Sequence, residues 1–410
     1  MSKRVWLGQR LSDGMLFSRA LHDIESYFTC ESLVGNQLPT NCFSLDEKGI
    51  LPDSRNKWVS TDIKKIIDIY EQQLNDLLDK GSILFPYYLS NESIIKLRRK
   101  QSVLNEKVFR SQLVRSLQMF MMNQANIVTP KWIIPNHLSW ETITNTIGCP
   151  FIIQFDNTSS GMGTYLINSK TDYLVFIERY GEADIATQYI SDGYSCSTHI
   201  WVTANDIQIT SSSIQLVEKI FLTGEDNNIQ TFLFRGNDFG LYDSKVGKYS
   251  NIEEQLFRIG SVYQKAGIWG LIGVDYIIKD GDFFYNETNF RLQNSTSLLS
   301  YFQPQNNNII GLMLGRKTKL AKVRKGFQYF VTLNVPLLLS GYYSDTGEFI
   351  SDFDASCVID SFDKYLVFVS SVRNGLQDVR IIGLDAGQVK FGHIGSNVSK
   401  FVERLVDIYG

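Results

Sequence analysis

The stretch GVDYIIKDGDFFYNETNF, residues 273–290, constrains the fold more than any other part of the chain. Two arms rich in β-branched and aromatic residues flank Asp280-Gly281, a dipeptide that favours the two-residue turn matching the twist of paired strands. A β-hairpin is predicted. The second arm continues into an alternating row, Glu287, Asn289, Arg291 and Gln293, separated by Thr288, Phe290 and Leu292. On a strand such a row shares one face. Across the turn Asp275 precedes Glu287 by twelve residues and Asn289 by fourteen, so the arms bring these oxygens together. Two carboxylates and an amide carbonyl are the hard oxygen donors that Mg²⁺ takes from a protein when phosphate and water complete its octahedron. Arg291 adds a fixed cation suited to phosphate or carboxylate, and Gln293 a substrate contact. A polar face that merely meets water is the competing interpretation of the row.

The rest of the chain sets wider bounds. Its 410 residues, 43% apolar and 20% charged, suffice for two or three domains with ordinary cores. A net charge of -3 provides no broad positive field for nucleic acid or an anionic membrane. Five scattered cysteines without a CxxC pair argue against a disulfide framework or a zinc site and fit a reducing cytoplasm. No apolar stretch is long enough for a signal peptide or a membrane span; the richest, 327–343, is broken by Gln328, Asn334 and Pro336. KRVWLG reads as a strand followed by a helix around Met15 to Phe28, an α/β unit. The run LRRKQSVLNEKVFRSQLVRSLQMFMM, free of Gly and Pro, reads as helix. PFIIQF and TYLINS form a hairpin; IATQYI, CSTHIWVTA and IQITSSSIQL continue as strands. A helix over 252–266 leads into the opening hairpin, and the chain beyond 320 is again strand-rich. The histidines stand singly, and GYSCS lacks the closing glycine of a nucleophile elbow.

FDNTSSGMGTY lies between two apolar strands. Its residues Ser159, Ser160, Gly161, Met162 and Gly163 either turn successive backbone N–H groups onto phosphate oxygens or simply close a hairpin. It has neither the Lys-Ser/Thr ending of a Walker loop nor the third glycine of a dinucleotide fingerprint.

The order of these segments over roughly residues 101–300 resembles the ATP-grasp superfamily. The most specific part is E-x-N-x-R-x-Q, similar to the corresponding strand of biotin carboxylase and of peptide-forming ATP-grasp ligases; SSSIQL and FRGNDF are similar to the latter more loosely. The resemblance implies an α+β ATP-grasp fold at 101–320, with subdomains of about 101–185 and 186–320 clamping ATP. An α/β domain at 1–100 would precede it and a small strand-rich subdomain at 321–410 follow it. It further implies that Asp275, Glu287 and Asn289 hold Mg²⁺ (or Mn²⁺) and that Arg291 steadies an acyl phosphate. The Gly-rich hairpin would close over the phosphates, Gln188, Tyr189 and Ile190 would meet adenine, and Lys107 would be the first of two phosphate-binding lysines. Gln154 stands where the second lysine is usual, Thr187 where an acidic hinge residue is usual, and Tyr194 or Ser195 where ribose is held. Losing one charged phosphate contact costs on the order of 1.5–3 kcal/mol. The implied activity is an ADP-forming ligase that activates a carboxylate, of an amino acid or peptide, and joins it to an amine. Transfer to a carrier-protein thiol and nucleotide binding without turnover are the alternatives, and a homodimer is compatible with the resemblance.

Overall fold

The computed structural model describes residues 3–21, 24–33, 39, 41–50, 59–88, 96–97, 113–156, 163–221, 229–249, 251–304, 308–333, 365–369 and 377–383. At the N-terminus four parallel strands form one sheet: β1 (Arg4–Gly8), β2 (Ile24–Thr29), β3 (Cys42–Ser44) and β4 (Ile83–Pro86), in the order β3-β2-β1-β4. Helices α1 (Leu11–Leu21) and α2 (Val59–Asp79) connect them. The helix expected around Met15 to Phe28 therefore stops at Leu21. The run IESYFT, rich in strand-forming residues, takes β2 instead, with Tyr27 and Phe28 entering different cores. Both sheet faces are covered, as parallel sheets require. Val5 and Leu7 pack with Ile63, Ile66 and Ile67 of α2. Trp6, on the other face, packs with Leu11, Leu16, Phe17 and Phe85.

The second sheet has twelve strands. Its main path runs β13 (Asp282–Asn289), β12 (Gly270–Lys279), β9 (Tyr194–Val202), β10 (Ile207–Phe221), β11 (Gln230–Asp238), β7 (Thr164–Ile167), β6 (Phe151–Gln154), β8 (Ile185–Gln188) and β5 (Trp132–Ile133). Strand β14 (Phe327–Leu333) pairs with β11 and with β16 (Gln377–Gly383), which also pairs with β15 (Tyr365–Val369). Helices α3 (Arg115–Gln124), α4 (Trp140–Ile147), α5 (Lys170–Tyr180), α6 (Phe239–Lys245) and α7 (Ile252–Lys265) intervene. Helices α8 (Asn294–Phe302) and α9 (Ile309–Met313) pack their leucines and isoleucines against the first sheet's Trp6 core. Gly236 lies where β11 meets β14: at φ 148° its added Cβ would sit 1.9 Å from the Gln328 carbonyl oxygen.

Arg380 of β16 reaches α1 and α8. Its guanidinium, 3% exposed, donates to Asp13 Oδ1 (2.7 Å), Ser12 Oγ (3.1 Å), Ser297 Oγ (2.9 Å) and Gln328 Oε1 (2.6 Å).

Candidate functional site

The site begins with the predicted hairpin. Lys279 faces Asp282 across a two-residue turn in which Asp280 (φ 53°) and Gly281 (φ 94°) both lie in the left-handed region. Continued regularly, that register would put Asp275 opposite Asn286 and send Glu287 to the other face. The register shifts between Asp275 and Tyr276, leaving Asn286 as a bulge, so that Asp275 pairs with Glu287 and Gly273 with Asn289. The bulge therefore puts Glu287 and Asn289 on the face of Asp275. Asn289 Nδ2 donates to Asp275 Oδ2 at 3.0 Å and to Glu287 Oε1 at 3.5 Å.

The expected strand row is shorter than four. β13 ends at Asn289, and Arg291 and Gln293 lie in the turn before α8. Gln293 still returns to the site because it caps α8. Its Nε2 donates to Asp275 Oδ1 at 3.3 Å while its Oε1 accepts from Ser197 Oγ at 3.2 Å. Gly273 makes room for it, since a Cβ there would lie 2.2 Å from Gln293 Oε1. Arg291 turns to Tyr87 of the first sheet, donating to its hydroxyl at 3.0 Å, and stacks over that ring at 5.6 Å.

Arg115, the first residue of α3, forms an ion pair with Glu287. Its backbone N–H donates to Asp156 Oδ1 at 3.0 Å, so it joins the end of the β6 segment to β13. Its Nε and Nη1 are buried without a hydrogen-bond partner. One helical turn on, Gln118 fixes the same strand: its Oε1 accepts from the Thr288 N–H (2.7 Å) and the Tyr285 hydroxyl (2.8 Å). Burial, then the facing Glu287 charge, push the Asp275 carboxyl up to about 7. Burial acts in the same sense on Glu287, but Arg115 outweighs it by charge and hydrogen bond and holds that carboxyl below its usual value.

Two closely facing carboxylates, one pushed up by burial and by its neighbour's charge, are a donor set that a hard divalent cation would relieve, with the Asn289 amide oxygen as a third donor. Among the described residues no group of three or more His, Cys, Asp or Glu could hold a metal ion, so any cation here would rest on two carboxylates and an amide.

The residues expected on the nucleotide side belong to β6, β8 and the segments beside β7 and β8. Gln154 is buried, donates from Nε2 to Thr164 Oγ1 at 3.2 Å and leaves Oε1 without a partner. Gly163 (φ 76°) ends the Gly-rich loop, and its carbonyl accepts the Phe155 N–H at 3.0 Å. Lys107, Ser159, Ser160, Gly161 and Met162 lie outside the described residues. Thr187 is buried, and Gln188 pairs by backbone with Lys131 (2.7 Å). The Tyr189 ring is tilted against Phe232 (centroids 6.4 Å) and lies beneath Lys219 Nζ (4.9 Å). Ile190 contributes a methyl 3.4 Å from the Cβ position of Gly193. Arg115 carried no motif; the available signal was that Arg115 and Gln118 are polar at helical spacing among inward methionines.

No protein-family profile and no curated protein sequence matches the chain. Among solved structures it is similar to an N5-carboxyaminoimidazole synthetase from Staphylococcus aureus complexed with ADP, at TM-score 0.59 and 13% identity over 100% of this chain and 97% of that one. It is similar at 0.59 and 11% to a carboxyaminoimidazole ribonucleotide synthase from Aspergillus clavatus complexed with ATP, covering 100% and 98%. A third is the biotin carboxylase domain of a Hydrogenobacter thermophilus 2-oxoglutarate carboxylase with MgADP, ADP and bicarbonate (0.57, 11% identity, covering 94% and 86%). Full-length matches to structures of this kind, with a parallel N-terminal sheet joined to the bulged Asp275–Glu287 hairpin, identify the architecture of this chain as the ATP-grasp fold.

Proposed function

We propose that this chain is an ATP- and Mg²⁺-dependent, ADP-forming ligase that activates a small carboxylate as an acyl phosphate and passes the acyl group to an amine. The observation that carries this reading is the Asp275–Glu287–Asn289 set, aligned by the Asn286 bulge and flanked by Arg115 and Arg291. The nucleotides, MgADP and bicarbonate bound by the structural neighbours support it.

Asp275, Glu287 and Asn289 would hold the cation, which supplies charge neutralisation to phosphate oxygens. Arg115, paired with Glu287 here, would turn its charge to phosphate oxygens where Glu287 holds the cation. Lys107 and the Gly-rich loop, Ser159 to Gly163, would complete the phosphate cradle, with Gln188 to Ile190 against adenine. A carboxylate oxygen attacks the γ-phosphorus, the bond to the β-γ bridging oxygen breaks, and ADP leaves. The amine then adds to the acyl carbonyl and phosphate departs. Arg291 stabilises charge on the carboxylate being activated and on the oxyanion that follows. The chain would provide placement and electrostatics. The carboxylate is that of an amino acid or peptide, or bicarbonate, as in the biotin carboxylase neighbour.

ADP formation measured against a panel of carboxylates and amines tests this reading. Turnover that depends on both substrates and disappears in Glu287→Gln supports it. Buried, uncharged Gln154 favours a second reading, nucleotide binding without turnover. Tight MgADP binding with no substrate-dependent ADP release would select that one.

A further inference from the structure

Next to Asp275 a buried chain of polar groups runs from β9 to the start of α8. Successive β9 side chains alternate between faces, so Ser197 and His199 share the face that Gly273 and Asp275 present on the neighbouring β12. In register Ser197 stands beside Asp275 and His199 beside Gly273. The first turn of α8 approaches over Gly273, where a Cβ would collide with the Gln293 amide. There the Gln293 N–H donates to Thr296 Oγ1 at 2.8 Å, and Thr296 Oγ1 lies 2.7 Å from His199 Nε2.

Hydrogen-bond chemistry fixes the protons of this chain. Thr296 is fully buried, and a buried hydroxyl proton needs an acceptor. Its oxygen takes the Gln293 N–H on one lone pair, so its proton goes to His199 Nε2 and the imidazole carries its own on Nδ1. Burial, which lowers the His199 pKa to about 3, keeps that ring neutral. At the other end stands Asp275. Gln293 Nε2 donates to Asp275 Oδ1 at 3.3 Å, while Ser197 Oγ donates to Gln293 Oε1 at 3.2 Å and so settles which end of the amide meets the carboxylate. The two oxygens of Asp275 are thereby divided: Oδ1 goes to Gln293, and Oδ2 to the Asn289 amide that also reaches Glu287.

We propose that His199 and Thr296 are positioning residues for the cation site: the imidazole orients the Thr296 hydroxyl, the hydroxyl fixes the backbone of Gln293, and the Gln293 amide holds Asp275 Oδ1 so that Oδ2 is the oxygen offered to the cation. This rests on the ligase reading. Partners that orient a metal ligand from outside the coordination sphere set metal affinity nearly as the ligands do. Gln293, expected from its place in the row to contact substrate, then serves the metal carboxylate, and a histidine of the sheet core acquires a part in metal affinity.

The test titrates Mn²⁺ into the full chain, reads bound metal by electron paramagnetic resonance, and records urea midpoints of the same samples. Thr296→Val keeps the shape and removes the hydroxyl; it should weaken Mn²⁺ binding about fivefold, whereas Thr296→Ser should stay within about twofold of wild type. In a Gln293→Leu background the amide that transmits the effect is gone, and Thr296→Val should add less than about twofold. If Thr296→Val does not fold, two histidine variants carry the comparison: His199→Gln, which keeps an acceptor, should bind Mn²⁺ within about twofold of wild type, and His199→Leu, which has none, about fivefold more weakly. The proposal is overturned if Thr296→Val or His199→Leu lowers the urea midpoint but binds Mn²⁺ as wild type does, or if the loss is the same with Gln293→Leu already present. Wild type that takes up no Mn²⁺ in a Glu287-dependent manner would instead remove the cation site itself, and with it the ligase reading.

Discussion

Replacing Arg115 by Met leaves the Glu287 carboxylate beside Asp275 without its cation. At hydrogen-bond contact and an effective dielectric of about 20 the pair's attraction is about 5 kcal/mol. Two features reduce the net loss. The Glu287 side chain keeps a quarter of its exposure, and the burial of Arg115's two unpartnered nitrogens is relieved. A net cost of about 3 kcal/mol remains, the lower end of what breaking a buried pair costs. The loss is local to α3 and β13, so the assay is hydrogen exchange of the nucleotide-free protein, followed over residues 115–124 and 282–289. Exchange there should accelerate about a hundredfold, since each factor of ten corresponds to about 1.4 kcal/mol. Adding Glu287→Gln to Arg115→Met removes the stranded charge and should recover all but about 1 kcal/mol of the loss. Acceleration below about threefold, or no recovery in the double variant, would refute the assignment of Arg115 as the counter-charge of the carboxylate pair.

Three further outcomes follow from the geometry. Deleting Asn286 removes the bulge and should turn Glu287 and Asn289 away from Asp275; the hairpin stays paired by circular dichroism, whereas Mg²⁺-dependent nucleotide binding falls at least tenfold in a titration. His199 is buried, its pKa lowered by burial to about 3, and Thr296 Oγ1 lies 2.7 Å from its Nε2. The native state therefore refuses a proton that the unfolded chain accepts below its pKa of about 6.5, so stability falls as pH drops from 6.5 toward 3, by about 2 kcal/mol between pH 6.5 and 4.5. Urea midpoints at pH 6.5 and 4.5 should show this loss in wild type and less of it in His199→Gln. Gly236→Ala forces a Cβ into the Gln328 carbonyl and should separate β14 from β11, at a cost of at least about 2 kcal/mol. Hydrogen exchange of residues 327–330 would show it, and unchanged protection would contradict the close approach.

The hairpin was legible because Asp-Gly between apolar arms is a local signal that tertiary context had no reason to override. The pairing of Asp275 with Glu287 was legible only by proximity. Parity alone puts the two on opposite faces, and an extra residue at Asn286 has no signature in sequence. Alternation continuing past Asn289 makes Arg291 and Gln293 read as strand; the chain instead turns there to start α8, where the Gln293 carbonyl accepts the Thr296 N–H. Arg115 was illegible for another reason. Its partner lies 172 residues away, and its helical spacing with Gln118 among methionines marks an inward face without saying which charge it meets. The expected helix over Met15 to Phe28 ends early because IESYFT, strand-forming in itself, has parallel partners on both sides.

The Arg380 contacts bear on the order in which this chain can mature. Asp13, 2% exposed, has its neutralising partner 367 residues later. During synthesis the first sheet and α1 emerge long before β16, so Asp13 must stay hydrated or unpaired by Arg380 until β16 has emerged. α1 can therefore dock fully only after β14 and β16 have paired, and Ser297 of α8 joins in the same event. A chain stalled before β16 should hold its N-terminal sheet in a loosened, protease-sensitive state, with the bond that closes the fold made last.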